Sequence, residues 1–256
     1  MAQLQLRPLG VGEIVDATFT VYRRRFGPMF AIALMLVSIP FLVSLVGGCG
    51  LDAGGTTTCT SPIGWLGYIA GSIGTLVASV AGVLVAAEAY AGVPSDWRRA
   101  TRIGLRRTLA IIGATIVAGV LVAIGFVLLI IPGIFLAVSL AVAWEALIIE
   151  GVGPMESIKR SWRLVAGERW RVLGAVLLVI ILSIIVFGIV SAVIWLILSP
   201  VLGVSGELAG SLVQHVATLL SIPLSAAVGA VIYLDLRVRK ESLGTDELAA
   251  ALSERG

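Results

Sequence analysis

Charge is what this sequence has least of. Between residues 108 and 144 there is no Asp, Glu, Lys, Arg or His, and charged residues make up 13% of the whole chain against 59% hydrophobic ones. So few charges cannot cover a soluble domain, and a mean hydropathy of +1.08 places the chain among integral membrane proteins. Histidine is nearly missing too, His215 being the single copy. A Ser-His-acid triad would have to recruit it, and one histidine with two cysteines cannot assemble a zinc site. No Gly-rich phosphate-cradling motif is present. The expectation is a protein that is not an enzyme and takes no cofactor. A pI near 9.2 does not imply nucleic acid, because no basic soluble domain carries the charge. No A-x-A site follows the first apolar span, so no cleaved signal peptide is expected.

What is present is organised around that uncharged run. A spanning helix needs about 20 apolar residues, so residues 108–144 cross a bilayer about twice. Pro132-Gly133 near the middle supplies the break, Pro lacking a donor and Gly permitting a reversal. Basic segments flank the run, residues 98–107 before and 159–171 after. Positive flanks stay on the cytoplasmic side, so the run reads as a re-entering hairpin. Counting outwards gives an all-α polytopic membrane protein with six transmembrane helices arranged as three hairpins. The spans are expected at about 27–47, 63–91, 109–131, 133–150, 172–198 and 209–233, in a single membrane domain over 1–240 with a short tail at 241–256. All 18 Lys and Arg fall in segments assigned to the cytoplasmic side, both termini included, and the reading is of a multi-pass protein of a bacterial cell membrane.

Each hairpin is preceded by a basic stretch read as an interfacial amphipathic helix, at about 12–26, 95–107 and 155–166. In the first, Val15, Phe19, Tyr22 and Phe26 share one face; in the third, Met155, Ile158, Trp162 and Val165 do. Tyr22-Arg23, Trp97-Arg98 and Trp162-Arg163 recur at matching places, a weak internal repeat with all three hairpins in one orientation. The basic side chains Arg23, Arg24, Arg98, Arg99, Arg102, Arg106, Lys159, Arg160 and Arg163 are the candidates for contact with anionic lipid headgroups. Membrane lipids are therefore the expected partners, beside an unidentified membrane protein.

Inside the spans, Pro40 is expected to kink the first. In the second, Gly67, Gly71, Gly74, Ala78, Gly82 and Ala86 form a small-residue stripe that lets helices approach closely. Cys49 and Cys59 share a loop without Lys or Arg, read as facing the oxidising side, where they are expected to pair. The alternatives are two free thiols, or a partial lipoprotein cleavage site at Val46-Gly47-Gly48-Cys49. Ionisable groups at membrane depth are site candidates by default: Glu145 and His215, with Gln214 beside the latter, and Glu88 and Glu150 nearer the boundary. Two functions follow: a non-catalytic scaffold, accessory or lipid-interacting module, or a small transporter or lipid-translocating protein with a polar path near Glu145, Gln214 and His215.

Three stretches add a resemblance: Arg7-Pro8-Leu9-Gly10-Val11-Gly12-Glu13-Ile14 running on to Tyr22-Arg23-Arg24; Pro132-Gly133-Ile134 continuing through Glu150-Gly151 to Lys159-Arg160-Ser161-Trp162-Arg163; and Pro223-Leu224 running to Tyr233-Leu234-Asp235-Leu236-Arg237. Together they resemble the bacterial membrane-domain family named after the membrane part of glycerophosphoryl diester phosphodiesterase. The resemblance implies a multi-pass fold over nearly the whole chain, and an enzyme only where a separate catalytic domain is fused. The chain departs from that family's pattern at Ser139-Leu140, where a basic-aromatic pair is usual, and at Glu145, where a small residue is.

Overall fold

Helices account for nearly all of the structure, a computed structural model that describes residues 8–51, 56–202, 206–242, 244 and 247–248. Six segments are long and apolar enough to span a membrane: Val11–Val46, Pro62–Ala91, Trp97–Leu128, Ile130–Glu150, Arg169–Ile197 and Leu208–Glu241. The first comprises α1 (Val11–Ala33), a π-helical turn (Leu34–Ser38) and α2 (Ile39–Val46). A two-stranded antiparallel hairpin follows, β1 (Cys49–Leu51) and β2 (Thr57–Cys59), with Cys49 opposite Cys59. Then come α3 (Pro62–Ala91), α4 (Trp97–Leu128), α5 (Ile130–Ser139), α6 (Ala143–Glu145), a second π-turn (Ala146–Glu150), α7 (Pro154–Val165), α8 (Arg169–Leu202) and α9 (Gly206–Glu241).

Two of the expected interfacial helices are not separate elements. Residues 12–26 run into the first span, and residues 95–107 into the third, as α1 and α4. Nothing at either junction stops a helix, and unbroken helix keeps every backbone donor paired where water is scarce. The one irregularity is at Arg25 (φ −124°, ψ 17°), three residues before Pro28, which lacks a donor and crowds the carbonyl of Arg24 one turn back. α7 does stand alone, because the chain turns at Gly167, whose φ of +84° suits a residue without Cβ. At Pro40 the helix runs on without a gap, Ser38 and Ile39 both keeping helical φ/ψ, and the π-turn that ends just before it is the local adjustment that accommodates a residue without a donor.

The hairpin break also moves. α4 ends at Leu128, and Leu129 (φ −168°, ψ 157°) is the extended residue between the helices. Pro132 falls in the first turn of α5, where the amide has no intrahelical acceptor to lose. Gly133 instead packs on the ring of Phe126, leaving no room for a side chain. The span expected at 133–150 is itself broken, α5 stopping at Ser139 and α6 starting at Ala143.

The core lies between α3 and α9, with α1 against both. Small residues allow it: a Cβ on Gly82 would sit 2.9 Å from that of Ala226, and one on Gly67 or Gly74 would overlap the backbone of Ser44 or Leu36. The small-residue stripe thus packs inside the bundle, where dispersion at close range holds helices together. α1 buries Ile14, Ala17, Thr18 and Val21 and leaves Val15, Phe19, Tyr22 and Phe26 only half-buried. Its inner face is rotated from the one expected because it is a bundle helix rather than a surface one. α8 is the least covered, its outward Ile184, Ile189 and Leu196 exposed. Of the tail, Leu248 is fully buried in the main core and Glu247 is exposed; residues 249–252 of the turn expected at 247–252 lie outside the described residues.

Candidate functional site

Among the described residues the ion pairs gather at one end of the bundle, where Leu9 meets the last turns of α9. Asp235, 2% exposed, accepts from the Leu9 amide at 2.7 Å, from Arg171 Nη2 at 2.7 Å and from Arg239 Nε at 3.4 Å. Arg171 and Arg239 also donate to the Leu9 carbonyl. One carboxylate and two guanidiniums therefore fasten both backbone polar groups of Leu9, and the entry to α1 is tied to α9. Beside it Glu150 accepts from Arg160 Nε at 2.8 Å and from the Tyr233 hydroxyl, and Arg160 and Arg237 both reach Glu241. Burial pulls the Arg160 guanidinium down, but its bonds to Glu241 and Glu150 outweigh that and hold it above its ordinary value. Glu88, also 2% exposed, lies 3.7 Å from Arg99 Nη2.

These contacts divide the nine headgroup candidates. Arg23, Arg24, Arg98, Arg102, Arg106, Lys159 and Arg163 are exposed, whereas Arg99 and Arg160 are half-buried and turned to carboxylates. The exposed seven surround an end whose buried carboxylates other arginines already occupy.

The broken fifth helix is repaired by a neighbour. Ser161 of α7 donates to the carbonyl of Ser139 at 2.9 Å and accepts from the amide of Val142 at 3.3 Å. Arg169 Nε donates to the Ser139 hydroxyl at 3.0 Å while its guanidinium lies over the rings of Phe135 (4.4 Å) and Trp162 (5.3 Å). So α7 buries Ser157, Ser161 and Leu164 with Ile158 and Val165, and leaves Met155 and Trp162 exposed. The expected apolar stripe is only partly the packed one, because an open helix end draws a hydroxyl inward.

Glu145, Gln214 and His215 do not form one site. Gln214 and His215 line a cavity of about 190 Å³ at the disulfide end, with Phe41, Ser44, Thr75 and Ser211. There His215 Nε2 shares a hydrogen bond with Ser38 Oγ at 2.9 Å, and its ring stacks on Phe41 at 3.9 Å. Ser38 closes the first π-turn, so that turn aims the hydroxyl. Cys49 and Cys59 are joined by a disulfide, and Cys49 also lines this cavity. Glu145 lines a different cavity of about 580 Å³ bounded by α6, α8 and α9. The glutamate is 8% exposed, its Oε2 has no hydrogen-bond partner among the described residues, and it lies against Gly229. His215 and Gly229 are 14 positions apart on α9, roughly 21 Å at the rise of an α-helix.

Among the described residues no group of His, Cys, Asp or Glu is placed to hold a metal ion. Sequence reasoning missed Asp235 and Arg171 as partners; the available signal was a lone acid inside the basic end of α9. It also missed Ser161 and Arg169, for which no sequence signal existed without knowing that the fifth helix breaks at Ser139.

A family model described as a domain of unknown function, DUF7847, matches residues 29–236. Nothing in that match ties the chain to the glycerophosphoryl diester phosphodiesterase membrane domain that its motifs resemble. No curated protein and no solved structure matches the chain.

Proposed function

The chain belongs to the DUF7847 family, and from that premise we propose that it is a non-catalytic multi-pass module of the bacterial cell membrane, a scaffold or accessory unit whose basic end engages anionic headgroups on the cytoplasmic side. One observation carries the reading. The carboxylates at that end are already held by Arg99, Arg160, Arg171 and Arg239, while Arg23, Arg98, Arg102, Arg106, Lys159 and Arg163 are exposed around it. Each exposed Lys or Arg near an anionic leaflet contributes about 1 kcal/mol, so these six make a substantial electrostatic anchor. A transport path is the weaker reading, since the polar residues it would string together line two separate cavities.

The test is native mass spectrometry of the protein released from bilayers of mixed phosphatidylglycerol and phosphatidylcholine. Retained lipid should be mostly phosphatidylglycerol, and a variant with Arg98, Arg102 and Arg106 replaced by Gln should retain markedly less. Equal retention by the variant would remove the headgroup role. Orientation is read separately, by labelling single cysteines at residues 98 and 240 with a membrane-impermeant maleimide in intact cells. Labelling from outside would invert the assignment.

A further inference from the structure

We propose that the cavity between α6, α8 and α9 binds a lipophilic amine, its ammonium group paired with the Glu145 carboxylate and its apolar body lying along α8. The proposal goes beyond the headgroup reading and uses none of the basic end. A carboxyl group at membrane depth is costly without a partner, and Glu145 Oε2 has no hydrogen-bond partner among the described residues. Its position is a built one: the missing side chain of Gly229 makes room for the carboxyl, since a Cβ there would overlap Glu145 Oε1.

The lining selects the ligand's chemistry. Ser183 donates to the Val179 carbonyl at 2.7 Å, Ser221 to Thr218 at 3.0 Å and Ser225 to Ile222 at 3.0 Å. Their protons are committed to their own helices, and the oxygens that remain are acceptors. With a carboxylate beside those three, and the Ser191 hydroxyl as the one further polar side chain among the described lining residues, the polar part of the wall is dominated by acceptors, so it favours a donor, and a cationic one. Among the described residues no Lys, Arg or His lines the cavity. A fatty acid, or a phospholipid headgroup with its phosphate, would find no counter-charge there; an amine without an anionic group would. The rest of the wall is aliphatic and aromatic, and a volume of about 580 Å³ lies in the range of sites for drug-sized molecules.

The test uses the whole chain in phosphatidylcholine nanodiscs with 9-aminoacridine, a fluorescent lipophilic amine, and protein-free nanodiscs as the partition background. Saturable binding of one probe per chain is expected, displaced by dodecylamine and not by dodecanol. Glu145→Gln should weaken binding at least tenfold while melting as a folded protein. Displacement by dodecanol as effective as by dodecylamine would overturn the proposal, and needs no variant to fold. Probe uptake equal to that of protein-free discs, or Glu145→Gln binding within twofold of wild type, would overturn it as well. In phosphatidylethanolamine discs the probe should bind unchanged. Its loss there would assign the site to the lipid's own ammonium headgroup and refute the free-amine assignment.

Discussion

Replacing Asp235 with alanine should loosen the bundle at the point where its first and last helices are tied. The carboxylate is 2% exposed and accepts from the Leu9 amide and two guanidiniums, whose side chains are 16% (Arg171) and 25% (Arg239) exposed. With all three groups largely shielded, solvent screening removes little of the effect. Truncation leaves two arginines facing each other and a buried amide without an acceptor. Removing one partner of a buried ion pair costs about 3–5 kcal/mol, and the lower end fits guanidiniums that keep the Leu9 carbonyl. At roughly 2–4 °C per kcal/mol for a chain of this size, a loss near 3 kcal/mol lowers the melting temperature by roughly 6–12 °C. The assay is thermal unfolding of the purified protein in mild detergent, followed by intrinsic fluorescence. A double-mutant cycle with Arg171→Met should give a coupling of about 1–3 kcal/mol, as expected for residues sharing one network. A melting point within about 2 °C of wild type for Asp235→Ala, or strictly additive effects in the cycle, would refute the clamp.

Ser161→Ala should destabilise by about 1–3 kcal/mol, the cost of leaving a buried donor and acceptor unpaired; a melting shift indistinguishable from that of Ser72→Ala, an exposed serine bonded only within α3, would show that the helix break does not depend on it. Gly229→Ala should cost about 1–3 kcal/mol by overpacking, and Glu145→Ala in the same chain should relieve most of it because the overlapping atom is gone. If the double variant melts lower than Gly229→Ala alone, the carboxyl does not sit against that glycine. Gly74→Ala drives a methyl into the Leu36 carbonyl and should markedly lower folded yield on gel filtration. Gly119→Ala meets nothing within 4 Å and should be neutral or stabilising by up to about 1 kcal/mol. Similar behaviour of the two would contradict the packing of α3 on the first π-turn.

Much of the architecture was legible because lipid imposes a one-dimensional code. Long apolar runs, the confinement of Lys and Arg to certain segments, and a break near Pro132-Gly133 mark six segments long and apolar enough to span a membrane without any knowledge of contacts. Boundaries failed where the code has no symbol for continuity: a basic stretch reads the same whether it lies in the interface or continues into a span, and only the backbone at Arg25 and through α4 decides. The pairing of Cys49 with Cys59 needed only their nearness in sequence. The polar site did not follow in that way. Glu145 and His215 are both polar residues within apolar helices, and a linear reading sets them together. The break at Ser139 and the packing of α8 on α9 place them in different cavities.

Composition and periodicity thus determined six helices long and apolar enough to span a membrane, with the positive charge kept outside the apolar stretches, because the cost of burying charge in hydrocarbon acts on each segment independently. Which carboxylate holds which arginine, which hydroxyl closes the fifth helix, and which cavity Glu145 enters were decided by tertiary structure. Pairings such as Ser161 with Ser139 and Arg171 with Asp235 join residues 22 and 64 positions apart, and they are set by how helices rotate against one another to pack their smallest faces.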